Sequence, residues 1–324
     1  MALRTYRLTI LGVWVLLLWT AGRAWAGSGP LTLEGVLQGV TDQPGASVSS
    51  ELSALFPRRQ SLYLDCDRLA FAETTATDPA RSQPLFAVLA PLAARQLDVM
   101  ERFLDVLLAD ERFAAESEAM AVAYVQFDRA KARAELGQYS ELSVLELESV
   151  YQKFLHRRTA SEIGQQQTRA LLAASLGDVG ELPRDLVVPN LPPIPEAVPA
   201  FDELRSKTSA ATESGSLMSG RDEAERLLIE RERDQQLFDL LLRLKLLDAA
   251  MRRVRVESSW NDLRLDRSRT LYEQEVTADL GYSMSQQTQS RFEERRVAYC
   301  RFLTWAEVRA LIGEPVWTAT TEGP

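Results

Sequence analysis

The sequence predicts an all-α protein of long antiparallel coiled-coil helical hairpins, duplicated, with little or no β-barrel. Three observations lead there. One phrase occurs twice: Ala134-Glu135-Leu136-Gly137 precedes an amphipathic stretch closing at Leu176-Gly177, and Ala278-Asp279-Leu280-Gly281 precedes another closing at Ile312-Gly313. Proline is absent between Pro91 and Pro183, and again between Pro199 and Pro315. A helix-interior proline costs about 3 kcal/mol, so both spans permit long helices. Apolar residues then recur at steps of three and four, the mark of a one-sided helix. Internal duplication fixes the architecture before any local motif is considered.

Residues 1–26 read as a secretory signal: Arg4 and Arg7, an apolar core from Leu8 to Trp19, and the small-x-small site Ala24-Trp25-Ala26. That core is shorter than the roughly 20 residues a spanning helix needs. Gly27 follows the site, so no lipid anchor is expected there. Residues 27–83 form an irregular N-terminal segment, with a short helix from Leu31-Thr32-Leu33-Glu34 to Gln43-Pro44. Leu62, Leu64 and Cys66 alternate with Tyr63, Asp65 and Asp67, which allows one short strand.

A first hairpin is expected over 84–182, with helices 84–136 and 141–176. Its stripe is Leu97, Met100, Leu104, Leu107 and Leu108. A Pro-rich strap and flexible joint fill 183–218, the joint being the Ser/Thr/Ala/Gly-rich stretch 206–220. A second hairpin is expected over 219–314, with helices 219–280 and 284–312, and a tail over 315–324. Leu237, Leu240, Leu241, Leu244, Leu247, Met251 and Val254 mark one seam; Thr288, Phe292, Tyr299, Leu303, Ala306 and Ala310 mark the other. Helices of 50 residues span about 75 Å and pair as antiparallel coiled coils. At the turns, Gly137 and Gly281 are expected to take the left-handed conformation that ends a helix. Ser143-x-x-Glu146 and Ser283-x-x-Gln286 read as capping boxes opening the next one.

The chain carries a formal net charge of −9, and loss of Arg4, Arg7 and Arg23 with the signal removes three positive charges, giving −12. Nucleic acid is not an expected partner, because phosphate contacts need a basic face. Export with no disulfide framework points to a bacterial periplasm. Cys66 and Cys300 are the two cysteines. Cys300 falls on a helical stripe and reads as a buried small residue, and whether the two pair is left open.

Catalytic chemistry is not expected. His156 is the only histidine and sits beside Arg157 and Arg158, as on a solvated helix face. No GxGxxG, P-loop or HExxH is present. Glu146 with Glu148, and Glu293 with Glu294, read as solvated acidic faces. The sequence therefore predicts no enzyme, no cofactor and no metal. The run Arg252, Arg253, Arg255, Arg264, Arg267 and Arg269 is expected to salt-bridge to acids of the neighbouring helix, ahead of contact with an anionic lipid.

Several phrases resemble the TolC-like outer-membrane efflux proteins. They are Leu31 to Glu34 after the signal, the run Ala134 to Leu145, and Leu172 to Gly177. The strap Val188-Pro189-Asn190-Leu191-Pro192-Pro193 and the ending Trp305 to Glu314 complete the series. The resemblance covers roughly 95–200 and 265–315. It implies a homotrimer whose protomers give strands to an outer-membrane barrel and hairpins to a periplasmic tunnel. It further implies that the hairpin tips meet a periplasmic adaptor protein linked to an inner-membrane pump. Carried onto this chain, the adaptor-contact tips are Leu136, Gly137 and Gln138, and Leu280, Gly281 and Tyr282.

Two departures stand out. The alternating, aromatic-girdled strands of a barrel are not legible, so this is an atypical, short member, not expected to form a pore alone. Many members also carry aspartate six residues after the tip glycine, at the tunnel constriction; here those positions are Ser143 and Gln287. The resemblance implies an efflux or secretion component at the periplasm or outer membrane of a Gram-negative bacterium. The alternative is a degenerate relative serving as a periplasmic coiled-coil scaffold without channel activity.

Overall fold

The computed structural model describes residues 30–42, 60–72, 74, 88–177, 182, 185–213, 220–274 and 280–318. The expected signal, the turn phrase Ala278-Asp279 and most of the short tail lie outside the described residues. Seven helices run through the rest: α1 (Leu33–Asp42), α2 (Cys66–Ala70), α3 (Pro91–Glu135), α4 (Glu141–Leu176), α5 (Phe201–Glu213), α6 (Glu223–Glu273) and α7 (Leu280–Leu311). No strand occurs among the described residues; Leu31 and Leu186 form one isolated parallel bridge.

The four long helices make an open layer. α3 packs on α4, α6 packs on α7, and α3 packs on α7, joining the two hairpins. No substantial packing joins α4 to α6 among the described residues, so these two are the outer helices of the order α4–α3–α7–α6. At 1.5 Å per residue, α3 is about 68 Å long and α6 about 77 Å.

Burial follows the stripes. Leu97, Met100, Leu104, Leu107 and Leu108 are buried, and so is the whole series from Leu237 to Val254 named above. Each contributes roughly 1.5–3 kcal/mol relative to leaving it exposed. Beyond residue 110 the buried face of α3 changes character to Ala115, Ala119, Ala123 and Ala130. Small side chains let neighbouring helix backbones approach closely, and charged ties flank the seam. Glu116 receives Arg157 of α4 at 2.7 Å, Asp110 receives Arg169 at 2.8 Å, and Glu111 receives Arg295 of α7 at 2.6 Å.

Several expectations are corrected here. α3 begins at Pro91 and not at 84, because Ala90 is extended and proline favours the first helical position. The alternation at 62–67 forms no strand. Asp105 of α3 instead accepts the backbone N–H groups of Leu62, Tyr63 and Leu64 at 2.8–3.0 Å. The chain then enters α2 with Asp65 as N-cap, accepting from the Arg68 N–H. Burial raises the Asp105 carboxyl to about 6, against the pull of those three donors. The expected joint at 206–220 is helical through Glu213 as α5, which places Leu204 in the core; 214–219 lie outside the described residues. Cys66 and Cys300 are joined by a disulfide with their Cα atoms 5.3 Å apart, tying α2 to α7.

Candidate functional site

The first hairpin turn is built by backbone geometry. Gly137 has φ +72°, and its N–H donates to Ala134 O at 2.9 Å while Gln138 N–H donates to Arg133 O at 2.9 Å. These two bonds satisfy the last carbonyls of α3 in the manner of a Schellman ending. Ser140, not Ser143, caps α4: its backbone is extended and its Oγ accepts the Ser143 N–H at 3.1 Å. Ser143 lies in the first turn, its Oγ 2.9 Å from that of Ser140. The expected capping box is thus displaced by three residues, since the serine nearest the glycine reaches the free N–H groups first.

This turn presents apolar side chains to solvent. Leu136 is 73 % exposed and Leu142 is 76 % exposed, with Leu145 and Tyr139 also open. Arg133 lies over the Tyr139 ring, 5.8 Å from its centroid. Gln138 is exposed beside them.

The second turn is different. α7 already includes Leu280, so Gly281 is helical and not a left-handed stop. It serves close packing: a Cβ there would lie 3.0 and 3.1 Å from the two methyl groups of Val122 on α3. Ser283 is consequently an interior residue of α7 and no N-cap. It is buried, with its Oγ 2.7 Å from Ser268 Oγ on α6. Tyr282 is exposed, and the Arg264 guanidinium sits 4.7 Å from its ring centroid. Gln287 hydrogen-bonds Asp262 of α6, which also receives Arg291 at 3.5 Å. A carboxylate therefore does stand beside Gln287, but on α6 and already held by an amide and a guanidinium.

Among the described residues, the basic run of α6 forms no ion pair with the neighbouring helix, contrary to expectation. Arg253 pairs with Glu257 at 3.0 Å and Arg269 with Asp266 at 3.5 Å, both within α6. Arg264 lies over both Trp260 and Tyr282. Glu257, Asp266 and Trp260 lie within about one turn of their arginines on α6, whereas Tyr282 belongs to α7, so Arg264 reaches the neighbouring helix through a ring and not a carboxylate. His156 is exposed on α4.

A second seam on α6 was not read from the sequence. Leu242, Ala249, Val256, Trp260 and Leu263 recur at steps of seven, seven, four and three, and all are exposed; Val256 and Leu263 are each 71 % exposed. The inner seam from Leu237 to Val254 faces the core, so α6 is apolar on two sides. The signal was present as a second heptad register, masked by the stronger inner one. On the opposite outer helix, α4 exposes Leu142, Leu145 and Ile163.

No protein-family model and no curated protein matches the chain. Solved structures do. A CusC structure, from work on conformational changes accompanying folding and transmembrane channel formation, aligns with TM-score 0.56 at 12 % identity, covering 87 % of this chain and 96 % of that one. A membrane protein from Pseudomonas aeruginosa aligns with TM-score 0.49 at 13 % identity, over 78 % of this chain and 70 % of that one. The open state of the Neisseria gonorrhoeae MtrE outer membrane channel aligns with TM-score 0.40 at 14 % identity, over 70 % and 72 %. The chain has the TolC-like fold, in its helical part, and the CusC alignment carries that conclusion.

Proposed function

We propose that this protein is an exported, TolC-like component of an efflux or secretion assembly in a Gram-negative envelope, working through coiled-coil contacts of its hairpins. The observation that carries the reading is the two-faced helix α6 at the edge of an open four-helix layer. An outer seam of Leu242, Val256, Trp260 and Leu263 left in water is costly, at about 25 cal/mol per Å² of apolar surface. Copies packed edge to edge, α6 against the exposed Leu142, Leu145 and Ile163 side of α4, bury both faces and close the layer into a tube. In this reading the copies form a trimer, and Leu136, Gly137, Gln138 and Tyr282 at the hairpin ends meet a periplasmic adaptor coupled to a pump.

Cell fractionation with chemical crosslinking in the native host tests this. Recovery as an outer-membrane trimer crosslinked to an adaptor is the expected result. Val256→Glu with Leu263→Glu should abolish the trimer while leaving helical content intact, since both side chains are exposed in the monomer. A soluble monomer crosslinked to nothing would overturn the reading and leave a periplasmic scaffold without channel activity.

A further inference from the structure

We infer that the stretch from Leu62 to Asp67 is a redox-locked clasp that fixes the two hairpins relative to each other, and that reduction of Cys66–Cys300 by a dithiol releases it. The device stands apart from self-association and transport, since every contact it uses lies within one chain.

This stretch grips all four long helices, in the order in which they stand in the layer. On α4, the Tyr63 ring rests against Gly164, where an added Cβ would overlap the phenol hydroxyl and lie 3.3 Å from Cζ. On α3, Asp105 accepts the N–H groups of Leu62, Tyr63 and Leu64. On α7, Arg296 Nε donates to Tyr63 O at 2.7 Å, and Cys300 holds Cys66. On α6, Arg243 pairs with Asp67 at 2.8 Å. The first two grips belong to one hairpin and the last two to the other, so the stretch crosses the seam between them.

The two sides differ in what reduction leaves behind. Three backbone N–H groups on one buried carboxylate hold the first hairpin whatever the state of the cysteines. The second hairpin depends on the covalent bond. α2 is five residues long, and isolated helices below about 12–15 residues are marginal. The Asp67 side chain is 33 % exposed, and a pair open to water contributes little. Arg243 also has Glu307 of α7 at 2.8 Å, so departure of Asp67 strands no unpaired guanidinium. Nearer the turns the seam is thin. Beyond residue 110 the buried apolar side chains of α3 are all alanine, and its ties to α7 are single contacts such as Arg112 to Gln289 at 2.9 Å.

Release is a thiol–disulfide exchange. Cys66 lines a cavity of about 510 Å³ where α2 meets α3, α6 and α7, whereas Cys300 is fully buried, so the reductant arrives at Cys66. Its thiolate bonds to Cys66 Sγ, the S–S bond breaks, and Cys300 leaves as thiolate. The second sulfur of the reductant then displaces Cys66. Two electrons and two protons pass to the cysteines, and the dithiol becomes a disulfide.

Pulsed dipolar spectroscopy on the full protein tests the clasp. Maleimide-linked gadolinium labels, whose thioethers survive reduction, are placed at Lys131→Cys on α3 and Thr270→Cys on α6, and the sample is diluted into unlabelled protein. A control pair at Lys131→Cys and Glu146→Cys stays within the first hairpin. With dithiothreitol, once both native thiols titrate, the width of the α3–α6 distance distribution should at least double while the control is unchanged. Cys66→Ala with Cys300→Ala should show the broad distribution without reductant and no response to it. A helical glycine replaced by alanine ordinarily gains stability. Gly164→Ala should instead lower the melting temperature, with Tyr63→Phe restoring it. An unchanged α3–α6 distribution after reduction would overturn the proposal. So would equal broadening of the control pair, or a raised melting temperature in Gly164→Ala.

Discussion

The same four-letter pattern, Ala-acid-Leu-Gly, stands at both hairpin turns and does two different jobs. At the first turn Gly137 bends the backbone into the left-handed region, with nothing within 4 Å of where a Cβ would sit. At the second, Gly281 is helical and its missing side chain is the space that Val122 fills. One glycine is needed for its φ, the other for its size. Both hairpins keep a longer helix followed by a shorter one, 45 and 36 residues in the first and 51 and 32 in the second, while the physical role of the shared residue differs with its surroundings. The first turn is an exposed apex, whereas Gly281, in the first turn of α7, is packed onto the other hairpin.

Substitution at the two glycines separates those roles. Gly281→Val should cost about 2–3 kcal/mol through overpacking, measured by urea unfolding, and Val122→Ala should recover part of it. Gly137→Ala should cost about 1–2 kcal/mol from the left-handed backbone alone, and Val122→Ala should recover none. Equal rescue in both backgrounds would break the comparison.

The clamp at the start of the first hairpin supplies a reference remote from either turn. Asp105 has its pKa raised to about 6 in the folded protein, so between its ordinary value and 6 the native state binds more protons than the unfolded one. Stability from this group therefore rises as pH falls, by about 1 kcal/mol from pH 7 to pH 5. The difference in melting temperature between wild type and Asp105→Asn should track that slope, and both glycine variants should retain it. The smallest effect is expected for Ser140→Ala, about 0.5–1 kcal/mol from the lost N-cap. That loss should be confined to local opening of the first turn by hydrogen exchange.

How much of this was legible depended on range. The inner seams of α3 and α6 were readable because every buried position repeats one chemistry at helical spacing. The helical tract at 201–213 was misread where serine, threonine and alanine suggested a joint. Its buried Leu204 and the acidic first turn of Asp202 and Glu203 were the local signals for a helix. Residues 62–67 alternate like a strand, yet the N–H groups of Leu62, Tyr63 and Leu64 go to Asp105, 41 to 43 residues downstream, which no local pattern announces. The cysteine pair was undecidable for the same reason, being 234 residues apart in sequence. Gly281 was misassigned because its role is set by Val122 on another helix, and the outer seam of α6 was hidden beneath the inner one.

The Cys66–Cys300 bond has a consequence in time as well as space. The chain emerges from the ribosome Cys66 first, and its partner follows only after α3, α4, α5 and most of the second hairpin have been made. Until then a lone thiol waits. Closing a loop of this size withdraws conformational freedom from the unfolded chain on the order of 5 kcal/mol. The bond therefore acts as a seal on completed work: a molecule truncated anywhere before residue 300 cannot form it, and thiol-reactive probes distinguish finished chains from unfinished ones.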